Sequence, residues 1–192
     1  MSTDNSPALL VFLGNTGNRY ARTRHNAGWM LLDHPPFNEA EGWQQKFKAL
    51  WTRFQVAGTS ILLLRPQTMM NLSGESVQAA IRFFRHTPDE LLVVHDDVEV
   101  PFGSVGLRKG GGLAGHNGLR SIAGCLATRE FWRLRIGVGR PPRGDLHGHV
   151  LGRFSPQEEA ELPAILDTAA GLLLDGLRQG FTETNGKDTP PR

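Results

Sequence analysis

The chain has 192 residues, 39% hydrophobic and 21% charged, with one cysteine and a formal net charge of +2 at pH 7. That suffices for one domain with its own core and excludes both an internal disulfide and a membrane-spanning apolar run. The start, "MSTDNSPALLVFL", lacks the basic n-region of a secretory signal, so a reducing cytoplasm is the expected location.

Charge is unevenly spread. Residues 106–143 hold eight Arg/Lys (Arg108, Lys109, Arg120, Arg129, Arg133, Arg135, Arg140, Arg143) against the single acid Glu130, while the remainder carries thirteen bases and eighteen acids. A basic zone on an acidic body suits a polyanionic partner such as nucleic acid, and equally a solvated surface.

In chain order, "ALLVFL" (8–13) is a short apolar run ending at Gly14, the pattern of a buried strand. A polar, glycine-bounded loop follows. Thr23 is placed to cap a short helix carrying Ala27, Met30 and Leu31. The prolines of "HPPFNEAEGW" interrupt it. "WTRFQVA" and "SILLLRP", joined at Gly58-Thr59, predict a hairpin or neighbouring strands. Val77, Ala80, Ile81 and Phe84 fall at i, i+3, i+4 and i+7, an amphipathic helix with Ser73 as its cap. "ELLVVHDDV" is the next strand, apolar up to Asp96 and Asp97. Leu119, Ile122, Ala123 and Leu126 restore helical spacing, so Gly115–Asn117 opens that helix, which buries Cys125. "FWRLRIGVG" is a strand. Ser155-Pro156-x-Glu158 is a capping box starting a last helix through Leu177, which Pro163 can break or kink. "TNGKDTPPR" has the composition of a disordered tail. The expectation is an α/β fold: one domain over residues 1–185, with a twisted, mixed but mostly parallel sheet surrounded by helices, and a disordered 186–192. Active-site residues of such sheets gather beyond the strand C-termini, which groups Asn15, Asn71 and Asp96 with His116 and Asn117.

Three chemistries compete for these residues. Gly110, Gly112 and Gly115 spell G-x-G-x-x-G, with Glu130 twenty residues after Gly110. Yet the acid precedes its strand rather than ending one, and basic "GLRK" stands where a dinucleotide fingerprint needs an apolar strand. Asp96, Asp97 and Glu99 could hold a hard cation, but successive strand residues face opposite ways. "HGH" at His147 and His149 reads as surface loop rather than a zinc site. The third chemistry uses two His-Asn pairs, His25-Asn26 and His116-Asn117. A histidine steadied by a carboxylate can take a proton from water near neutral pH, and asparagine amides can hold a peptide-like substrate without adding charge. No Ser or Cys stands in a nucleophile elbow, so water attacking an activated ester is the expected reaction. Each residue also has a plainer use: His25 can brace its short helix, Asn71 can cap the helix near Ser73, and the aromatic pairs Phe83-Phe84 and Phe131-Trp132 read as packing.

At this point the chain resembles a known family, the bacterial-type peptidyl-tRNA hydrolases. The matching segments are "LGNTGNRYARTRHNAGWMLLD" (13–33), "LRPQTMMNLSGESV" (64–77), "HDDVEVPFGSVGLRKGGGLAGHNGLRSI" (95–122), "FWRLRIGVGRP" (131–141) and "HVLGRFSPQE" (149–158). The resemblance implies cleavage of the ester between peptide and tRNA, recycling dropped-off peptidyl-tRNA, with no metal or other cofactor, by a monomer. It implies His25 as catalytic base and Asp96 as its orienting carboxylate. Asn15, Asn71 and Asn117 would line the cleft, with Tyr20 and Met70 as walls and His116 as a polar contact. Arg108 and Arg135 would grip the tRNA 5′-phosphate. The chain departs from the family pattern at Thr16 (usually Pro), Ala114 (usually Gly), Arg108 (commonly Lys) and in a short segment after Asp33. A non-catalytic RNA-binding relative on the same fold is the alternative.

Overall fold

The computed structural model describes residues 7–141 and 143–184. Its sheet has seven strands: β1 (Leu9–Phe12), β2 (Gln44–Lys46), β3 (Ala49–Val56), β4 (Thr59–Pro66), β5 (Leu91–Asp97), β6 (Val105–Lys109) and β7 (Trp132–Gly137), in the spatial order β2-β3-β4-β1-β5-β7-β6. The central strands β4, β1, β5 and β7 are parallel, whereas β2, β3 and β6 join through antiparallel pairings. Helices α1 (Ala27–Leu32), α2 (Ser73–Phe84), α3 (Asn117–Leu126), α4 (Leu146–Leu151) and α5 (Pro156–Gln179) complete the fold. The expected mixed α/β domain is present, and the tail 186–192 lies outside the described residues.

The central strands read as unbroken apolar runs because both faces are covered. Leu10 and Phe12 of β1 and Leu92 and Val94 of β5 pack beneath α1 and α5. Their neighbours Leu9, Val11, Leu91 and Val93 pack beneath α2 and α3. Two close approaches set the site-bearing elements. An added Cβ at Gly28 would lie 2.5 Å from Leu13 O, and at Gly74 2.2 Å from Ser121 O. Gly74 N–H also donates to Ser121 Oγ at 2.9 Å, so α2 and α3 meet backbone to backbone. Gly74→Ala is therefore expected to destabilise by about 1–3 kcal/mol despite better helix propensity; an unchanged or raised Tm would contradict this contact.

Several local expectations need correction. Ser73 is the first helical residue, with Leu72 at the cap position; its hydroxyl donates to Met70 O at 2.9 Å. Thr23 precedes a 3-10 turn (Arg24–Asn26) and likewise bonds backward, to Tyr20 O at 2.8 Å. The β3–β4 turn is Ala57-Gly58, both at positive φ, one residue earlier than expected. Pro163 does not break α5, since it stands on an exposed position. Cys125 is only half-buried. Phe83 is exposed, with the Lys46 ammonium 3.5 Å from its ring centroid, while Phe131 and Trp132 are buried. The capping box is as read: Ser155 N–H donates to Glu158 Oε2 at 2.7 Å and Glu158 N–H to Ser155 Oγ at 3.2 Å.

Candidate active site

β5 delivers two adjacent carboxylates, Asp96 and Asp97, at the C-terminal edge of the sheet. Side chains alternate along a strand, and the two part accordingly. Asp96 Oδ1 lies 2.9 Å from His25 Nδ1 and 3.0 Å from His116 Nε2. Asp97 Oδ2 accepts from Arg135 Nε at 2.7 Å, and its Oδ1 accepts from Glu99 N–H at 2.8 Å.

His25 is held on the 3-10 turn before α1. Arg24 beside it donates to Arg153 O at 2.7 Å and pairs with Glu158 at 2.7 Å, so the start of α5 braces the turn. Asn26 reaches beyond its own turn. Its Oδ1 accepts from Asn15 N–H at 2.9 Å and its Nδ2 donates to Asn15 O at 3.0 Å, clamping the loop after β1 to the histidine turn.

His116 caps α3. Its Nδ1 accepts from the Gly118 and Leu119 N–H groups at 3.1 and 3.3 Å, and a nitrogen that accepts two donors carries no proton. The proton is therefore on Nε2, aimed at Asp96. Sequence reading treated His116 as a polar contact; its larger role is to join a helix N-terminus to the buried carboxylate. Burial, the largest influence on the Asp96 carboxyl, pushes it up, but His25 and His116 together pull it well below the ordinary carboxylate range. Asp96 is an anion shared by two imidazoles. The three residues are close enough to hold a metal ion, but the donor set argues otherwise. The only nitrogen His116 turns to the cluster bears a proton, so ligation would require an imidazolate.

These groups face a cavity of about 310 Å³. Its lining includes His25, Asp96, His116 and Asn117 among the expected residues, and also His95, Asp97, Leu113–Gly115 and, from α4 and its cap, Asp145–His147 and Val150. Asn15 and Met70 lie buried outside this lining, where Met70 N–H donates to Asn15 Oδ1 at 2.8 Å. The side chain of Met70 packs against Gly118, which makes it core as much as wall. Asn71 is exposed beside it, and half-buried Tyr20 sits under the Arg19 guanidinium, 4.5 Å from its ring centroid; neither lines the cavity. Asn71 makes no helix cap, since Leu72 is at that position without a side-chain cap bond.

Sequence reading missed α4. It is capped by Asp145, whose carboxylate accepts from His147 and Gly148 N–H at 2.9 and 3.0 Å; the cap and "HGH" segment taken for a surface loop is one wall of the cavity. His149 Nε2 sits 3.2 Å from Val138 O. The missed edge strand β6 carries Arg108, exposed, opposite Arg133 on β7. Arg135, two residues on, shares that face and is half-buried against Asp97. The two arginines expected to grip a phosphate thus differ: Arg108 has no acidic partner among the described residues, while Arg135 is already paired. Among the departures, Ala114 adopts a left-handed φ of 47°, a conformation glycine takes without strain.

A family model described as peptidyl-tRNA hydrolase matches residues 9–189. A peptidyl-tRNA hydrolase of Geobacter metallireducens is 47% identical over 190 residues, covering 95% of this chain and 97% of its own. One from Geotalea daltonii is 45% identical over 185 residues, covering 94% and 97%. The crystal structure of peptidyl-tRNA hydrolase from Acinetobacter baumannii superposes with a TM-score of 0.82 at 34% identity, over 93% of this chain and 91% of that one. A peptidyl-tRNA hydrolase complex with n-propanol gives 0.83 at the same identity.

Proposed function

The chain belongs to the peptidyl-tRNA hydrolase family and hydrolyses the ester between peptide and tRNA, and we propose that His25 is the base of that reaction with Asp96 as its buried counter-charge. The observation that carries this assignment is the Asp96 carboxylate joined to His25 Nδ1 at 2.9 Å on the wall of the cavity. With Nδ1–H given to Asp96, Nε2 takes a proton from water. The oxygen adds to the ester carbonyl carbon, the C–O bond to the terminal ribose breaks, and the imidazolium returns its proton to the ribose oxygen. No covalent enzyme intermediate forms. Asn117 on the cavity wall, with Asn71 and Asn15 beyond it, offers uncharged donors and acceptors to the peptide and the oxyanion. Tyr20 and Met70 bound the approach, and His116 holds Asp96 in place.

Recognition of tRNA is assigned to Arg108 and Arg135 beside the cleft, binding a phosphate near the acceptor stem while the 3′ end enters the cavity. No metal or other cofactor takes part, and the active unit is a monomer acting in the cytoplasm, where its substrate is made. No helix among the described residues is long and apolar enough to cross a membrane.

The test is turnover of an N-blocked aminoacyl-tRNA with and without chelator. Turnover is expected to persist in chelator and to fall at least about 100-fold in His25→Ala. Loss in chelator would reinstate a metal, and tight tRNA binding without turnover would mean a binding protein on this fold. A second outcome separates the arginines: Arg108→Ala is expected to raise KM for peptidyl-tRNA about tenfold and flatten its salt dependence, while sparing a minimal ester substrate. Equal losses on both substrates would give Arg108 a structural role.

A further inference from the structure

The glycine run that imitates a nucleotide fingerprint has a different use. A side chain at Gly110 would meet the Glu130 carboxylate, 2.7 Å from an added Cβ, and one at Gly111 the Arg108 guanidinium at 2.6 Å. The third glycine, Gly112, offers its carbonyl to Arg133 Nη1 at 2.8 Å. Three consecutive glycines are thus each engaged by a different charged side chain.

Arg133 stands apart from the other two. It is only 2% exposed, among the largest fully buried side chains of the fold, and has no acidic partner among the described residues. Its Nε and Nη2 have no hydrogen-bond partner there either. Burial, then the like charges of Arg108 and Arg135, push its guanidinium down to about 10, so it remains a cation at neutral pH. A buried cation without a counter-ion is costly, and an apolar side chain of similar length would pack there more cheaply. What the guanidinium adds is the bond to Gly112. Among the described residues, this is the only hydrogen bond tying the stretch 111–115 to the sheet: Gly110 N–H reaches Phe131 O at 3.1 Å, and the next bond, His116 N–H to Leu113 O at 2.8 Å, is internal to the loop. Beyond Gly112 the stretch becomes the cavity wall and ends at His116, which meets Asp96.

We propose that Arg133 is a positioning residue for the hydrolysis, anchoring the glycine-rich wall from beneath so that His116 and Asn117 stay in register with Asp96. It touches neither substrate nor reacting atoms. Its neighbours on the strand face, Arg108 and Arg135, are the proposed phosphate grip, so the same short stretch joins tRNA binding to the cleft. The assignment rests on the hydrolase reading above.

The experiment measures kcat and KM for Arg133→Met and Arg133→Lys on peptidyl-tRNA and on an N-acetyl-aminoacyl-CCA trinucleotide that lacks the tRNA body. Arg133→Met is expected to lower kcat about tenfold on both substrates with KM within about twofold, because a displaced wall misplaces the reacting groups without removing a phosphate contact. Arg133→Lys keeps the cation but not the planar fork, and is expected to lose about threefold or more in kcat with the same unchanged KM. Should the methionine variant fail to fold, the lysine variant decides. Wild-type kcat in either folded variant overturns the assignment, as does a loss confined to KM for peptidyl-tRNA with an altered salt dependence. Inertness of the wild-type protein on both substrates would instead sink the hydrolase reading.

Discussion

Asp96→Asn is expected to lower kcat by about two to three orders of magnitude with little change in KM. In hydrolytic triads the corresponding change costs about four orders, because the amide turns its NH2 toward the histidine and leaves it in the wrong tautomer. Here that turn is opposed. Asp96 Oδ1 receives two donors, and the His116 proton is fixed on Nε2 by the α3 amides bound to Nδ1. An NH2 placed at that point would face the His116 N–H directly. The amide of the variant therefore keeps its oxygen toward both rings, His25 keeps its Nδ1–H, and what is lost is the negative charge that steadies the imidazolium.

Removing His116 as well frees the amide to turn, so Asp96→Asn with His116→Ala is expected to lose more than the two single losses combined, approaching about four orders. Steady-state turnover of the two single variants and the double variant measures the coupling. Additive losses would mean that His116 does not hold the carboxylate's orientation, and near-wild-type activity in Asp96→Asn would remove Asp96 from the reaction.

Much of this site was legible because chemistry and spacing agree. The apolar run "LLVVHDD" stops at its carboxylates, and the two His-Asn pairs fall at the openings of helices. That Arg133 and Arg135 share a face also follows from the alternation in "WRLRIG". What was not legible depends on long-range geometry. β6 was hidden because an edge strand needs only Val105 and Leu107 inside, and its basic residues read as loop. α4 was hidden because a six-residue helix with Leu146 exposed has no apolar stripe. Asn26 looked local because nothing in "RHNAG" shows that its amide spans eleven residues to Asn15. Ser73 and Thr23 carry the residue types of helix caps, yet their hydroxyls turn back to the preceding carbonyls, a competition that residue type alone does not decide. Nothing in "KGGGLAGHNG" shows that the space over Gly110 and Gly111 is filled by Glu130 and Arg108.

His95 gives the site floor a pH dependence that can be measured apart from catalysis. Its ring is 1% exposed, its Nδ1–H donates to Asp96 O at 2.6 Å, and its Nε2 has no partner among the described residues. Burial and the neighbouring His116, then Arg133, push the imidazole down to about 3, with Asp97 and Asp96 pulling the other way. In the unfolded chain the same group titrates near its ordinary value of about 6.5. Between those limits the unfolded chain binds a proton that the folded one refuses. The stability from keeping His95 neutral is thus fully present above about pH 6.5 and erodes as pH falls toward 3, by at most about 1.4 kcal/mol per pH unit. Asp96 and Asp97, both lowered in the fold, act in the same sense, but only below their ordinary unfolded range near pH 4. Urea unfolding of the wild type and of His95→Asn between pH 7 and 4.5 therefore isolates the histidine. Asparagine keeps a donor near the Nδ1 position and cannot titrate. Its absolute stability is expected to be lower, while its slope with pH should be flatter by about 1 kcal/mol per unit. Parallel slopes would show that His95 accepts a proton in the folded protein, and that the floor beneath Asp96 is less dry than its burial implies.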